Sequence, residues 1–200
     1  MRTYFEKPRT TVGWKGLLND PYLDDSCDIN AGLEMWRELL LKINEMWIPT
    51  AVEFLDTITP QYIGDLVSWW AIGARTTESQ EHRKLVSWLS MPVGFKNGTT
   101  GDIQIAIDAI KSSKWQHTFL WATKEWRIAK VKTSGNPDGH MILRGGSDGP
   151  NYSAEHIAKV DEKLTKAGVK TGIVVDFSHA NSKKDHKNQP LVSLDISEQI

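Results

Sequence analysis

The sequence predicts an α/β fold built on a parallel sheet, and within that class it favours a (β/α) barrel. Three observations carry this expectation. Short apolar runs alternate with helix-period segments along the chain, the signature of repeated βα units. Several runs end in a cation: Ala71-Ile-Gly-Ala-Arg75, Pro92-Val-Gly-Phe-Lys96 and Met141-Ile-Leu-Arg144, with Tyr4-Phe-Glu-Lys7-Pro-Arg9 as a looser fourth. No G-x-G-x-x-G follows the first run, which disfavours a nucleotide-binding doubly wound sheet. If each run is a parallel strand, its last residue lies at the carboxyl edge of the sheet, where α/β folds collect ligands.

Taken in order, the first strand is expected at 3–5. A helix follows over 29–46, with Leu33, Trp36, Leu39, Leu40 and Ile43 at helical spacing. Trp47 then stands where glycine commonly supplies a left-handed cap, so the local chemistry is wrong for a clean stop. The next strand is 50–54, and Thr59-Pro60 puts proline at the first position of a helix over 60–69. Strand 71–74, helix 79–89 and strand 93–95 continue the alternation. Gly101-Asp102 offers a cap for a helix over 102–112, and 118–120 is a further strand candidate. The rhythm then breaks: 128–131, the turn-rich Ser134-Gly-Asn-Pro-Asp-Gly139 and 141–143 read as an inserted β-hairpin beside the strand that ends at Arg144. Ser153-Ala-Glu155 caps a helix over 153–167, closed by Gly168, and 172–177 is the last strand. The terminal residues, from Asp195 to Ile200, look like part of a helix. No internal repeat or linker divides the chain, so residues 1–200 are expected to form one domain.

Composition sets the outer bounds. The chain has 200 residues, 40% of them hydrophobic, enough for a real core. With 24 Lys+Arg against 25 Asp+Glu the net charge is −1, so no global field draws it to nucleic acid or an acidic membrane. Any cationic site must be local. Cys27 is the single cysteine, which excludes an internal disulfide and a multi-cysteine metal site. No run approaches the roughly 18 apolar residues of a membrane span, and no signal core opens the chain. A cytoplasmic protein is expected.

The cations carry the chemistry. Arg75 and Arg144 can each grip a phosphate or carboxylate with two parallel donors, and Lys96 adds a compact charge. Each alone reads first as a solvated strand-end charge; three strand ends of one sign shift the reading to an anionic, phosphorylated ligand. Lys7-Pro-Arg-Thr-Thr11 suits a second phosphate or is an ordinary polar loop. Gly145-Gly146 lets backbone N–H groups approach an anion, or forms a plain turn. Asp176 and His179, closing the last strand, are candidates for ligand or proton-transfer roles. Glu53 and Asp56 read either as a base or water-positioning acid, or as salt-bridge partners of the arginines. There is no nucleophile elbow, H-E-x-x-H or Walker loop.

The strings Tyr4-Phe-Glu-Lys-Pro-Arg-Thr-Thr-Val-Gly-Trp-Lys-Gly16, Glu53-Phe-Leu-Asp56, Ala71-Ile-Gly-Ala-Arg-Thr-Thr-Glu-Ser-Gln80, Pro92-Val-Gly-Phe-Lys-Asn-Gly98, Ile142-Leu-Arg-Gly-Gly146 and Asp176-Phe-Ser-His-Ala-Asn181 closely resemble type I 3-deoxy-D-arabino-heptulosonate-7-phosphate (DAHP) synthase over nearly the whole chain. The resemblance implies a (β/α)8 TIM barrel that condenses phosphoenolpyruvate with erythrose 4-phosphate, the first step of the shikimate route to aromatic amino acids. It implies that Arg2, Lys7, Arg75, Lys96 and Arg144 surround phosphoenolpyruvate with help from the Ala74 backbone, and that Lys7, Pro8, Arg9 and Thr10 meet the sugar phosphate. Lys7, Lys96 and His179 would be catalytic, and His179 a ligand of a divalent metal of the Mn, Fe, Co or Zn class. The family is homo-oligomeric and regulated by an aromatic amino acid.

The resemblance also implies departures. Relative to the family, the chain would lack the segments holding the first strand with its metal-binding cysteine and the last strand with glutamate and aspartate ligands. About six of the eight βα units of a TIM barrel would remain, with the metal weakly held or absent. Trp36, Trp47, Trp70, Trp88, Trp115, Trp121 and Trp126 stand where relatives usually carry small residues, as overpacking or as cover for exposed apolar surface; Trp121 would intrude on the regulatory pocket. An inactive phosphate-binding fragment, or an interaction module of the same fold, are the alternatives to the enzyme reading.

Overall fold

The structure is a computed structural model that describes residues 1–3, 5, 6, 12–123, 125 and 127–200, with the backbone alone of Phe54. Six strands form one parallel sheet: β1 (Arg2–Thr3), β2 (Ala51–Phe54), β3 (Trp69–Ile72), β4 (Val93–Lys96), β7 (Gly139–Leu143) and β8 (Ile173–Val175), adjacent in that order. Between them run α1 (Ile29–Glu45), α2 (Pro60–Ile63), α3 (Gln80–Val86), α4 (Gln104–Ser113) and α5 (Ala154–Lys166); α6 (Gln189–Gln199) follows β8. A separate antiparallel pair, β5 (Thr118–Ala122) and β6 (Ile128–Lys132), is inserted between α4 and β7.

Local chemistry explains most boundaries. Ser79 and Ser153 cap α3 and α5 by accepting the His82 and His156 amides. Asp102 does the same for Gln104, although Ile103 rather than Asp102 is the capping position of α4. Gly168 closes α5 at φ +71°. The helix expected over 60–69 is shorter: α2 yields to a 3₁₀ turn at Gly64–Leu66, and β3 starts at Trp69. Trp47 is forced to φ +58° at the end of α1, with its ring 94% exposed.

The core lies between sheet and helices. Val52, Trp70, Ile72, Val93, Phe95, Met141 and Leu143 pack against Trp36, Leu40, Leu85, Ile107, Ile110 and Leu164. Four positions of β4 are buried in succession, as a parallel strand covered on both faces requires. Trp36 and Trp70 are fully enclosed and part of this core, whereas Trp47, Trp88 and Trp115 are exposed and overpack nothing. Trp126 lies outside the described residues.

The inserted hairpin differs from the sequence expectation in its pairing. The strand at 118–122, expected to join the alternation, pairs instead with β6, Phe119 opposite Val131, and β7 belongs wholly to the parallel sheet. The reason is burial: Leu120 is 71% exposed, so this run has no second layer to cover it and cannot serve as an interior parallel strand.

Candidate functional site

The strand ends deliver the expected cations to one place. Lys96 is the last residue of β4. Arg144 follows β7 directly, whereas Arg75 lies three residues beyond β3, not at its end. The intervening chain turns back on itself: the Gly73 carbonyl accepts the Thr76 and Thr77 amides. The Thr77 hydroxyl, within reach of the Gly73 carbonyl (3.0 Å) and the Lys96 carbonyl (2.8 Å), ties that turn to the end of β4.

A cavity of about 300 Å³ opens between these loops, lined among the described residues by Arg2, Ala74, Arg75, Lys96, Arg144, His179 and Lys184, with Glu6, Glu53, Thr76 and Thr99. Arg2, Ala74, Arg75, Lys96, Arg144 and His179 therefore line one cavity. Lys7, Pro8, Arg9 and Thr10 lie outside the described residues. Lys184, Thr99 and Glu6 were not anticipated; Glu6 and Lys184 each sit within five residues of a motif position, which was the available signal.

The cations fall into two kinds. Lys96, only 3% exposed, sits 3.2 Å from the Glu53 carboxylate and 3.7 Å from that of Asp176. Arg2 also pairs with Glu53. So Glu53 is a salt-bridge partner, though of Arg2 and Lys96 and not of Arg75 or Arg144. Asp56 does something else: its carboxylate accepts the Ile58 and Thr59 amides and shapes the loop after β2. None of the ion pairs among the described residues involves Arg75, Arg144 or Lys184. Burial lowers the Arg144 pKa below the ordinary arginine value, and the nearby Arg75 guanidinium adds to that against the pull of Asp176 and Glu53. An anion between the two guanidinia would offset the lowering that Arg75 imposes on Arg144.

Asp176 binds the other side together. Burial pushes its carboxyl up, yet hydrogen bonds from His179 and Ser178 and the Lys96 ammonium outweigh that and hold it well below the usual carboxylate range. His179 sits at φ +56° with Nδ1 2.9 Å from the Asp176 carboxylate and 2.9 Å from the Ser178 hydroxyl, which leaves Nε2 for the cavity. A carboxylate behind one ring nitrogen is how proteins orient a metal-binding histidine. No group of three His, Cys, Asp or Glu side chains suited to a metal occurs among the described residues. Cys27 is free and exposed, away from this cavity. The described residues thus fit one ligand, not a complete coordination shell.

Fold and pocket define an α/β protein of the barrel class whose parallel strands feed one mouth lined by cations. The chain belongs to the DAHP synthetase I family, whose model matches residues 1–200. It is 61% identical over its full length to the Phe-sensitive phospho-2-dehydro-3-deoxyheptonate aldolase of Escherichia coli K12, of which it covers 57%. It is 56% identical to the corresponding enzyme of Haemophilus influenzae, covering 55% of it. The solved phospho-2-dehydro-3-deoxyheptonate aldolase of Francisella tularensis superposes with a TM-score of 0.97 at 55% identity, over 100% of this chain and 58% of that one. The chain therefore spans a little over half the length of these relatives.

Proposed function

We propose that this chain carries the phosphoenolpyruvate-binding mouth of a 3-deoxy-7-phosphoheptulonate synthase, an enzyme that joins phosphoenolpyruvate to erythrose 4-phosphate for aromatic amino acid synthesis. The observation that carries this is the convergence of Arg75, Lys96 and Arg144, from three separate βα units, on one cavity. Arg75 and Arg144 supply bidentate grips for the phosphate, and Lys96 a point charge already desolvated and fixed by Glu53 and Asp176. Arg2, tethered by Glu53, and the Ala74 backbone complete that wall. Lys7, Pro8, Arg9 and Thr10 are the proposed contacts of the sugar phosphate.

The arrangement favours attack of phosphoenolpyruvate C3 on the aldehyde carbon by holding both anions in register, which neutralises their mutual repulsion and restricts their motion; the aldehyde oxygen takes a proton, water adds at C2 and inorganic phosphate departs. Lys96 and Lys7 are the groups proposed to stabilise developing charge. A divalent metal in this family would polarise the aldehyde, with His179 as one ligand. The described residues do not complete its site. Relatives named for sensitivity to Phe, Tyr or Trp support regulation by an aromatic amino acid, and we place the protein in the cytoplasm as a homo-oligomer acting on free metabolites.

Thermal unfolding with and without phosphoenolpyruvate tests this reading. Ligand at about 100-fold its Kd adds roughly 2.7 kcal/mol, which for a chain of this size raises Tm by roughly 5–10 °C. Pyruvate, which lacks the phosphate, should give far less. No shift at millimolar phosphoenolpyruvate, or an equal one with pyruvate, would contradict it.

A further inference from the structure

The segments that bring Arg144 and His179 to the cavity are fastened by three asparagines. We propose that Asn97, Asn151 and Asn181 are positioning residues that aim Arg144 at the bound anion by locking the main chain from which it projects. The proposal rests on the anion-site reading above and extends it to residues that line none of the cavity.

Asn97, fully buried, directly follows Lys96. Its Oδ1 accepts the Arg144 amide at 2.9 Å and the Asn151 Nδ2 at 3.2 Å, while its Nδ2 donates to the Gly98 and Gly145 carbonyls at 2.8 and 3.0 Å. Asn151 accepts the Gly145 amide at 2.7 Å and donates its own amide to Asn181 Oδ1 at 3.0 Å. Asn181 Nδ2 donates to the Leu143 carbonyl at 3.2 Å and the Asp176 carbonyl at 2.9 Å. One connected set of amides, contributed from beyond β4, β7 and β8, thus holds the backbone on both sides of Arg144. It also clasps the loop that presents His179.

The residue type follows from the chemistry. Only a carboxamide offers an acceptor and two donors in one plane, and each of these three uses both ends. An aspartate at 97 would set oxygen against two carbonyl oxygens. Packing reinforces the lock: Gly145 is at φ +74°, and a Cβ there would come within 2.9 Å of the Asn181 amide. A guanidinium must be held within a fraction of an ångström to grip phosphate with two donors, and its own side chain is long and rotamer-rich. Fixing its backbone removes one source of that freedom.

The test is a double-mutant cycle on the 200-residue chain, since Asn151→Ala changes no charge and touches no cavity-lining side chain. Phosphoenolpyruvate affinity is measured for the parent, Asn151→Ala, Arg144→Gln and the double variant, with amide hydrogen exchange on the unliganded proteins. Asn151→Ala should speed exchange of the Gly145 amide at least tenfold while β2 and β3 stay protected. It should weaken phosphoenolpyruvate binding about tenfold in the parent background but less than twofold once Arg144 is gone. Equal losses in both backgrounds, or an unmoved Gly145 amide, would overturn the positioning role and leave the site reading standing. A parent chain that binds no phosphoenolpyruvate would overturn both. Should Asn151→Ala fail to fold, Asn151→Asp, which keeps the acceptor for Gly145 and loses the donor to Asn97, takes its place in the same cycle, and there the difference in affinity loss between the two backgrounds alone decides.

Discussion

Glu6 faces the cavity with burial raising its carboxyl pKa from 4.5 to about 7, and the nearby Asp56 charge adds to the effect. The unfolded chain ionises this group near pH 4.5 while the folded chain still holds the proton. Stability therefore falls as pH rises from about 4.5 to about 7, and levels off above. Glu6→Gln should flatten that slope, so that urea unfolding shows the variant gaining on the parent from pH 5 to pH 8; parallel curves would refute it. Trp47 is a conformational cost of another kind, a left-handed residue whose exposed ring gives nothing back. A left-handed residue with a Cβ costs about 1–2 kcal/mol relative to glycine. Trp47→Gly should accordingly stabilise by roughly 0.5–1 kcal/mol after the larger entropy of the unfolded glycine chain is counted, read as a rise in Tm. That misfit was legible in the sequence, because cap chemistry is local. The raised Glu6 pKa was not, because it comes first from burial in the folded chain and then from Asp56, 50 residues away.

Among the elements, the hairpin of β5 and β6 is anchored to α3 through one buried hydroxyl pair. Thr133 Oγ1 lies 2.8 Å from Ser87 Oγ and accepts the His117 amide at 2.8 Å. Thr133→Val keeps the shape but leaves the His117 amide without its acceptor, at a cost of about 1–3 kcal/mol, while Ser87 Oγ keeps its bond to the Lys84 carbonyl. Thermal unfolding should show the loss, and an unchanged Tm would mean that water replaces the hydroxyl. The parallel strands and most helices could be read in advance because period and caps are local signals, as at Ser79, Ser153 and Gly168. The pairing of the 118–122 run could not. Thr-Phe-Leu-Trp-Ala has the composition of a buried strand, and only the absence of a covering layer over Leu120 assigns it to a hairpin. Helix α2 ended early for a reason that was visible, Gly64 within the run.

For the whole molecule, the central claim is that cations from distant βα units meet around one small anion. That Arg75, Lys96 and Arg144 line one cavity was legible in three independent runs that end in the same sign. The asparagine lock and Lys184 were hidden, since each acts through partners that only the folded chain brings near. A second cleft, of about 170 Å³ and lined by Lys111, Lys114, Lys170 and Trp115, offers a rival cationic surface elsewhere on the molecule. A crystal structure of the chain soaked with phosphoenolpyruvate separates the two most directly. The phosphate should lie within hydrogen-bonding distance of both the Arg75 and Arg144 guanidinia, with Lys96 Nζ toward the same molecule. Phosphoenolpyruvate bound only at the lysine cleft, with the cavity between Arg75 and Arg144 unoccupied, would contradict the account.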